Sequence, residues 1–154
     1  MAVGRLCGWA WLILVMVWPM SCIAGAVTSS DLPTRSMLAE RAARRFPQPV
    51  RVGDLIDRPV LEPVEAQHVL GRVDAVTRDE TGGIAVIVRF GGWFGLGTRR
   101  IAVPVEAVAL LGEYVAVIDF TPQQLGDFPT VSPQRAQVID SEETIRVGLT
   151  KPFH

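Results

Sequence analysis

The chain has 154 residues, of which 15 are Lys or Arg and 16 are Asp or Glu, giving a formal net charge of −1. Near-neutral charge argues against nucleic-acid binding, because proteins of that class usually carry a basic surface that neutralises phosphates. The length suits one domain with its own hydrophobic core.

Residues 1–26 are typical of a secretory signal peptide. Arg5 precedes an apolar run over 6–18, and Ala24 and Ala26 form an A-x-A cleavage site. The run is shorter than the roughly 20 residues that a membrane-spanning helix needs. We therefore predict cleavage after Ala26 and a periplasmic or secreted protein. The alternative is an uncleaved segment that anchors the chain in the inner membrane, facing the periplasm.

Both cysteines, Cys7 and Cys22, precede the predicted cut. The mature chain would then have no disulfide, no thiol nucleophile and no cysteine-ligated metal. A lipoprotein that uses Cys22 is less compatible, because Pro19 and Met20 are poor residues before a lipidated cysteine. Stability is expected to come from the core.

Residues 27–49 are interpreted as a linker with a short helix. Thr34 or Ser36 is a suitable N-cap, and the helix is expected to run to about Arg45. Arg41, Arg44 and Arg45 would share one face. They would form either a basic patch for lipid headgroups or an acidic partner, or, as we favour, a solvated surface.

Residues 50–129 are predicted to hold the β domain. A strand, a turn at 57–59 and a second strand are expected over 51–61. Further strands are expected over 69–78 and 84–90, with a turn at 79–83 in which Gly82 and Gly83 take positive φ. Leu70, Val73 and Val76 have mixed spacing that also fits a helix, but Gly71 and the flanking residues favour a strand with a bulge.

The segment GGWFGLG, residues 91–97, joins two of these strands. Its glycines allow positive φ while the loop carries Trp93 and Phe94. These aromatic side chains would either be exposed for a partner or a membrane interface, or, as we favour, close one end of the domain. Further strands are expected over 98–103, 106–111 and 114–119. About six strands suit a small barrel or a compact sandwich, and the pattern alone does not separate the two.

A short helix is predicted from Pro122 to about Asp127, with Thr121 as its cap. Residues 130–154 are interpreted as a C-terminal extension. Within it, Ile145, Val147 and Leu149 alternate as in a strand with one inward face.

The ordered set of segments resembles the PRC-barrel family. The similarity covers about residues 52–129 and includes VGDLIDRPV at 52–60, LGRVDAV at 70–76, the GG-aromatic-aromatic-GLG loop with the RIAVP segment after it, and IDFTPQQL at 118–125 with Pro129. The resemblance implies a mainly β fold, a small barrel of about six strands followed by a short helix. It also implies a bacterial binding or assembly module.

Candidate nucleotide and nucleophile sites fail on their chemistry. Gly92 and Gly97 have the spacing of a P-loop, but Thr98 follows where the loop needs a lysine. No serine has a G-x-S-x-G context. We therefore predict no catalytic site and no cofactor.

Candidate metal ligands are few. His68 and His154 are interpreted as surface residues, because a shared site would need the last residue to return across the domain. Asp74, Asp79 and Asp119 would bind calcium only if the strands brought them together. We predict no metal.

The predicted function is therefore a non-catalytic, exported binding or scaffolding module that contacts an unknown protein of the cell envelope. Trp93, Phe94, Arg99 and Arg100 are the candidate partner-binding residues. The alternatives are a membrane-anchored structural factor and a barrel that binds a small ligand inside, for which Arg89 is the only polar candidate in its strand.

Overall fold

A mixed β-sheet of nine strands forms the body of the chain over the residues that the computed structural model describes, 32–62, 67–92, 97–132 and 136–150. The strands are β1 (Gln48–Arg51), β2 (Pro59–Leu61), β3 (Val69–Arg78), β4 (Ile84–Phe90), β5 (Arg99–Pro104), β6 (Val108–Leu111), β7 (Tyr114–Val117), β8 (Gln137–Val138) and β9 (Thr144–Leu149). Two α-helices, α1 (Arg35–Ala43) and α2 (Pro122–Asp127), and two 3-10 helices, η1 (Val52–Asp54) and η2 (Val105–Ala107), accompany them. The predicted mainly β class is confirmed.

The strand order is β1-β9-β6-β7-β2-β3-β4-β5, and β8 pairs with the end of β3. Most pairs are antiparallel, but β2 with β7 and β6 with β9 are parallel. Within the described residues β1 and β5 form no ladder with each other, so the sheet is not closed and a six-strand barrel is not confirmed. Strand β1 begins in the last two residues of the predicted linker and ends in the predicted β domain, whereas β8 and β9 come from the predicted C-terminal extension.

One apolar core is shared by strands from both halves of the sheet. Val86 and Val88 of β4 and Ile145 and Val147 of β9 all belong to it. The predicted inward positions of Ile145 and Val147 are confirmed, whereas the predicted inward position of Leu149 is wrong, because this residue is 43% exposed. The two helices each add a buried leucine to the same core, Leu38 from α1 and Leu125 from α2.

Strand β3 is bulged, as predicted, but beside Gly71 rather than at it. Its pairing with β4 passes from Val73 directly to Ala75, which leaves Asp74 as the extra residue. Its pairing with β2 likewise leaves out Leu70. Two bulges explain the helix-like spacing of the apolar residues, since each inserted residue shifts the inward face by one position. Gly71 is needed because a Cβ there would lie 2.0 Å from a carbonyl oxygen of β4.

Helix α1 is fastened to the sheet by Arg41, in its last turn, and by Arg45, two residues after its end. The guanidinium of Arg45 donates to both carboxylate oxygens of Asp119, at 2.9 and 2.8 Å, and to the carbonyl of Glu106 at 3.0 Å. Arg41 donates to the same carboxylate at 3.1 Å. Arg41 and Arg45 therefore form ion pairs with Asp119 of their own domain. The sequence had suggested instead a patch for an external partner or a solvated surface.

The predicted turn at 79–83 forms, with one correction. The Asp79 carboxylate accepts hydrogen bonds from the backbone N–H groups of Thr81 and Gly83, and Gly82 has φ of 83°. Gly82 is the one residue of this turn with a positive φ, so the predicted positive φ of Gly83 is wrong. A Cβ at Gly83 would meet the Arg35 guanidinium, so a larger residue there would displace the end of that side chain.

Helix α2 begins as predicted. The Thr121 hydroxyl accepts from the N–H of Gln124 at 3.2 Å, and the Gln124 side chain accepts from the N–H of Thr121 at 2.9 Å. This reciprocal capping box satisfies two backbone donors at the helix start. Pro122 follows at the first helical position, where its missing N–H has no cost.

Candidate functional site

Three arginines stand side by side across the outer face of the sheet. Arg72 of β3 pairs in register with Arg89 of β4, which pairs with Arg100 of β5. We call this set the arginine row. Like charges placed directly opposite on neighbouring strands repel each other, so the row needs nearby anions.

Two aspartates supply that compensation. Arg89 donates to Asp57 at 2.5 Å and lies 3.4 Å from Asp74, and Arg100 donates through Nε to the other oxygen of Asp74 at 2.6 Å. Arg72 donates to the backbone carbonyl of Asp57 at 2.8 Å. The arginine row therefore carries three positive charges against two negative ones.

The bulge in β3 makes this arrangement possible. Asp74 is the residue left out of the ladder with β4, and its side chain is only 18% exposed. Because a bulge turns its extra residue away from strict alternation, Asp74 reaches the guanidinium groups of two strands. Gly71, in the same strand, brings the backbones of β3 and β4 close together near Phe90.

Two clefts meet at Arg89 and Thr98 on this face. The larger one, of about 390 Å³, extends towards the apolar side chains of Val69 and Leu70. The smaller one, of about 230 Å³, is lined by Arg89, Thr98, Arg99, Arg100, Thr130 and Val131. The larger cleft contacts Gly91 and Gly92 at the start of the GGWFGLG loop, and both clefts contact Thr98, the residue after the loop.

The backbone at the ends of the loop matches the prediction. Gly91, Gly92 and Gly97 have φ of 74°, 89° and 75°, a region that favours glycine. The candidate residues Trp93 and Phe94 lie outside the described residues, so their proposed role stays a prediction.

The other two candidates have different surroundings. Arg99 donates to the carbonyls of Phe128, at 2.8 Å, and of Leu125, at 2.9 Å, and also contacts the carbonyl of Gly126. Its guanidinium lies 5.6 Å from the centre of the Phe90 ring. It thus satisfies the last carbonyls of α2 and holds that helix against β5. The Arg100 side chain is half exposed and forms an ion pair with Asp74.

The sequence pattern does not indicate Arg72 or Asp57, and it indicates Asp74 only as a calcium ligand and Arg89 only as an inward-facing group. The structure places Arg89 on the outer face, where its side chain is 40% exposed. The missing information was the strand register, since arginines at sequence separations of 17 and 11 residues become neighbours only when β3, β4 and β5 pair.

The three aspartates considered for calcium each pair with different arginines. Asp74 contacts Arg89 and Arg100, Asp79 contacts Arg35 at 3.0 Å, and Asp119 contacts Arg41 and Arg45. Among the described residues no group of three or more potential ligands could hold a metal ion. The described helices are also all too short or too polar to span a membrane.

Comparisons with known proteins give no relative: no family model matches the chain, and none of the curated proteins matches it.

Proposed function

We propose that this chain is a non-catalytic, exported binding or scaffolding module of the PRC-barrel type that makes protein–protein contacts in the cell envelope. Its contact surface is the outer face of β3, β4 and β5, with the arginine row at the centre and the GGWFGLG loop beside it. The observation that carries the proposal is the pair of adjoining clefts, one partly apolar and one lined by arginines and threonines.

Such a surface has the composition that protein interfaces favour. Arginine is enriched at interfaces because its planar group makes several hydrogen bonds, and aromatic anchors fill neighbouring apolar pockets. The proposal gives Arg100 and the loop residues Trp93 and Phe94 direct contact with the partner. It gives Arg99 the supporting task of holding α2 against β5.

In-cell photocrosslinking tests this function. A photoreactive amino acid is placed at Thr98, which is exposed between the two clefts, and in a matched strain at Arg146, an exposed residue of β9. We expect one discrete crosslinked protein from position 98 and none from position 146. The crosslink should disappear when Trp93→Ser and Phe94→Ser are combined with the probe.

Two results would contradict the proposal. One is the absence of any adduct at position 98 in cells that produce the protein at its natural level. The other is an identical set of adducts from positions 98 and 146. Thermal unfolding of the double Ser variant, measured in parallel, separates loss of contact from loss of fold.

A further inference from the structure

We propose that the smaller cleft takes a carboxylate side chain from an acidic segment of the partner, and that Asp74 engages Arg89 and Arg100 in place of that carboxylate when the partner is absent. This inference rests on the proposed function and adds the chemistry of the partner to it. The partner's carboxylate would lie against Arg100 and Thr98 and compete with Asp74.

The lining of the cleft selects an anion. Three of its described lining residues are arginines and two are threonines, and none is acidic. Arginine guanidinium groups present paired N–H donors that match a carboxylate, and the bonds that result are charge-assisted. Threonine hydroxyls add donors that a carboxylate also accepts.

Arg100 still has donors to offer. Its hydrogen bond to Asp74 uses Nε, so the two terminal amino groups lie outside that bond. The guanidinium is half exposed, and these two amino groups can donate to an incoming carboxylate. Approach must come from the face of the sheet, because the Val131 N–H already bonds the Arg100 carbonyl at the edge of β5.

Asp74 shows that this geometry accommodates a carboxylate. One of its oxygens lies 3.4 Å from Arg89 and the other 2.6 Å from Arg100. The same contacts that stabilise the free protein must weaken when a partner carboxylate binds, since both compete for the same donors. Removing the internal carboxylate should therefore increase affinity for an acidic segment, whereas removing Arg100 should decrease it.

A peptide-binding assay tests this opposition of signs. The probes are a fluorescein-labelled octapeptide of alternating Glu and Thr and its Gln–Thr counterpart, titrated by fluorescence anisotropy with the full chain in a neutral detergent at low salt. We expect at least about tenfold preference for the Glu peptide, because several charge-assisted bonds depend on it. Raising the salt concentration should weaken that binding.

Three variants give the decisive comparison. Arg100→Gln should weaken binding of the Glu peptide about fivefold, and Asp74→Asn should strengthen it about fivefold, as expected for a partly exposed ion pair. Arg146→Gln removes the same charge on β9 and should change binding less than twofold. If Asp74→Asn does not fold, Asp57→Asn serves instead: its side chain is 71% exposed, and asparagine tolerates the φ of 60° found there.

The inference is overturned if the Glu and Gln peptides bind equally, if Arg146→Gln acts like Arg100→Gln, or if the aspartate variant that folds weakens binding. Displacement of the Glu peptide by an equal concentration of inorganic phosphate also overturns it, since the cleft would then select a small anion. A crosslink at position 98 without peptide preference would leave the proposed function standing and this inference refuted.

Discussion

Replacing Arg45 by methionine should release helix α1 from the sheet. The Asp119 side chain is 5% exposed and receives two hydrogen bonds from Arg45, which is itself 17% exposed. Methionine keeps most of the apolar stem but removes every donor. Of the two arginines that pair with this buried carboxylate, Arg41 would remain, and its side chain is 51% exposed.

The magnitude follows from the burial of the pair. Breaking a buried ion pair by removing one partner typically costs about 3–5 kcal/mol, because the remaining charge is left without compensation. Arg41 keeps part of that compensation, so we expect a loss of about 2–3 kcal/mol in the free energy of unfolding. For a domain of this size the midpoint of thermal unfolding would fall by about 10 °C. Urea unfolding and thermal unfolding, followed by circular dichroism, measure both quantities.

Arg44 provides the matched control, since it is exposed at the C-terminal end of α1. Arg44→Met should stay within about 0.5 kcal/mol of the parent. In the double variant Arg45→Met, Asp119→Leu, most of the lost stability should return, because no unpaired buried charge remains. Equal losses for Arg44→Met and Arg45→Met would refute the fastening of α1 through Asp119.

Three further predictions concern backbone and turn positions. Gly71→Ala should cost about 3 kcal/mol in urea unfolding because its Cβ would meet the backbone of β4, whereas Gly126→Ala, in open space on α2, should gain about 0.5–1 kcal/mol; a similar loss for both would contradict this account. Thr121→Ala should cost about 1 kcal/mol by removing the capping box, and Thr121→Ser should restore most of it. The hydrogen bond from the Thr81 hydroxyl, with one from the Gly83 N–H, lowers the pKa of Asp79 from 3.8 to about 2. The ionised carboxylate thus stabilises the fold above about pH 4, and this contribution is lost as the pH falls through 2. Asp79→Asn should therefore lose less stability than the parent between pH 4 and pH 2, and identical pH profiles in urea would contradict the shift.

Features governed by neighbouring residues could be predicted from the sequence. The capping box of α2 needs only Thr121 and Gln124, and the turn at 79–83 needs only a few adjacent positions. Local hydrogen bonds decide both structures, so their residue types identify them. The mainly β class also follows from runs of β-branched residues between turns.

Features that depend on distant pairing could not be predicted. The linker was expected to end before the sheet, but its last two residues begin β1, which pairs with β9 about a hundred positions away. Similarly, Arg41 and Arg45 resemble a surface patch in the sequence, because their contact with the distant Asp119 is visible only in the fold. The arginine row has the same origin, because only register brings its members together.

The position of β9 between β1 and β6 has a consequence for biosynthesis. Among the described strands β9 alone pairs with β1, and it joins β6 along the other edge. Synthesis from the N-terminus therefore leaves β1 without its partner until the chain has been made to Leu149. A chain that stops before Thr144 would lack β9 and would leave open edges on β1 and β6, which are templates for association with other chains. The sheet can therefore be completed only after β9 has been synthesised.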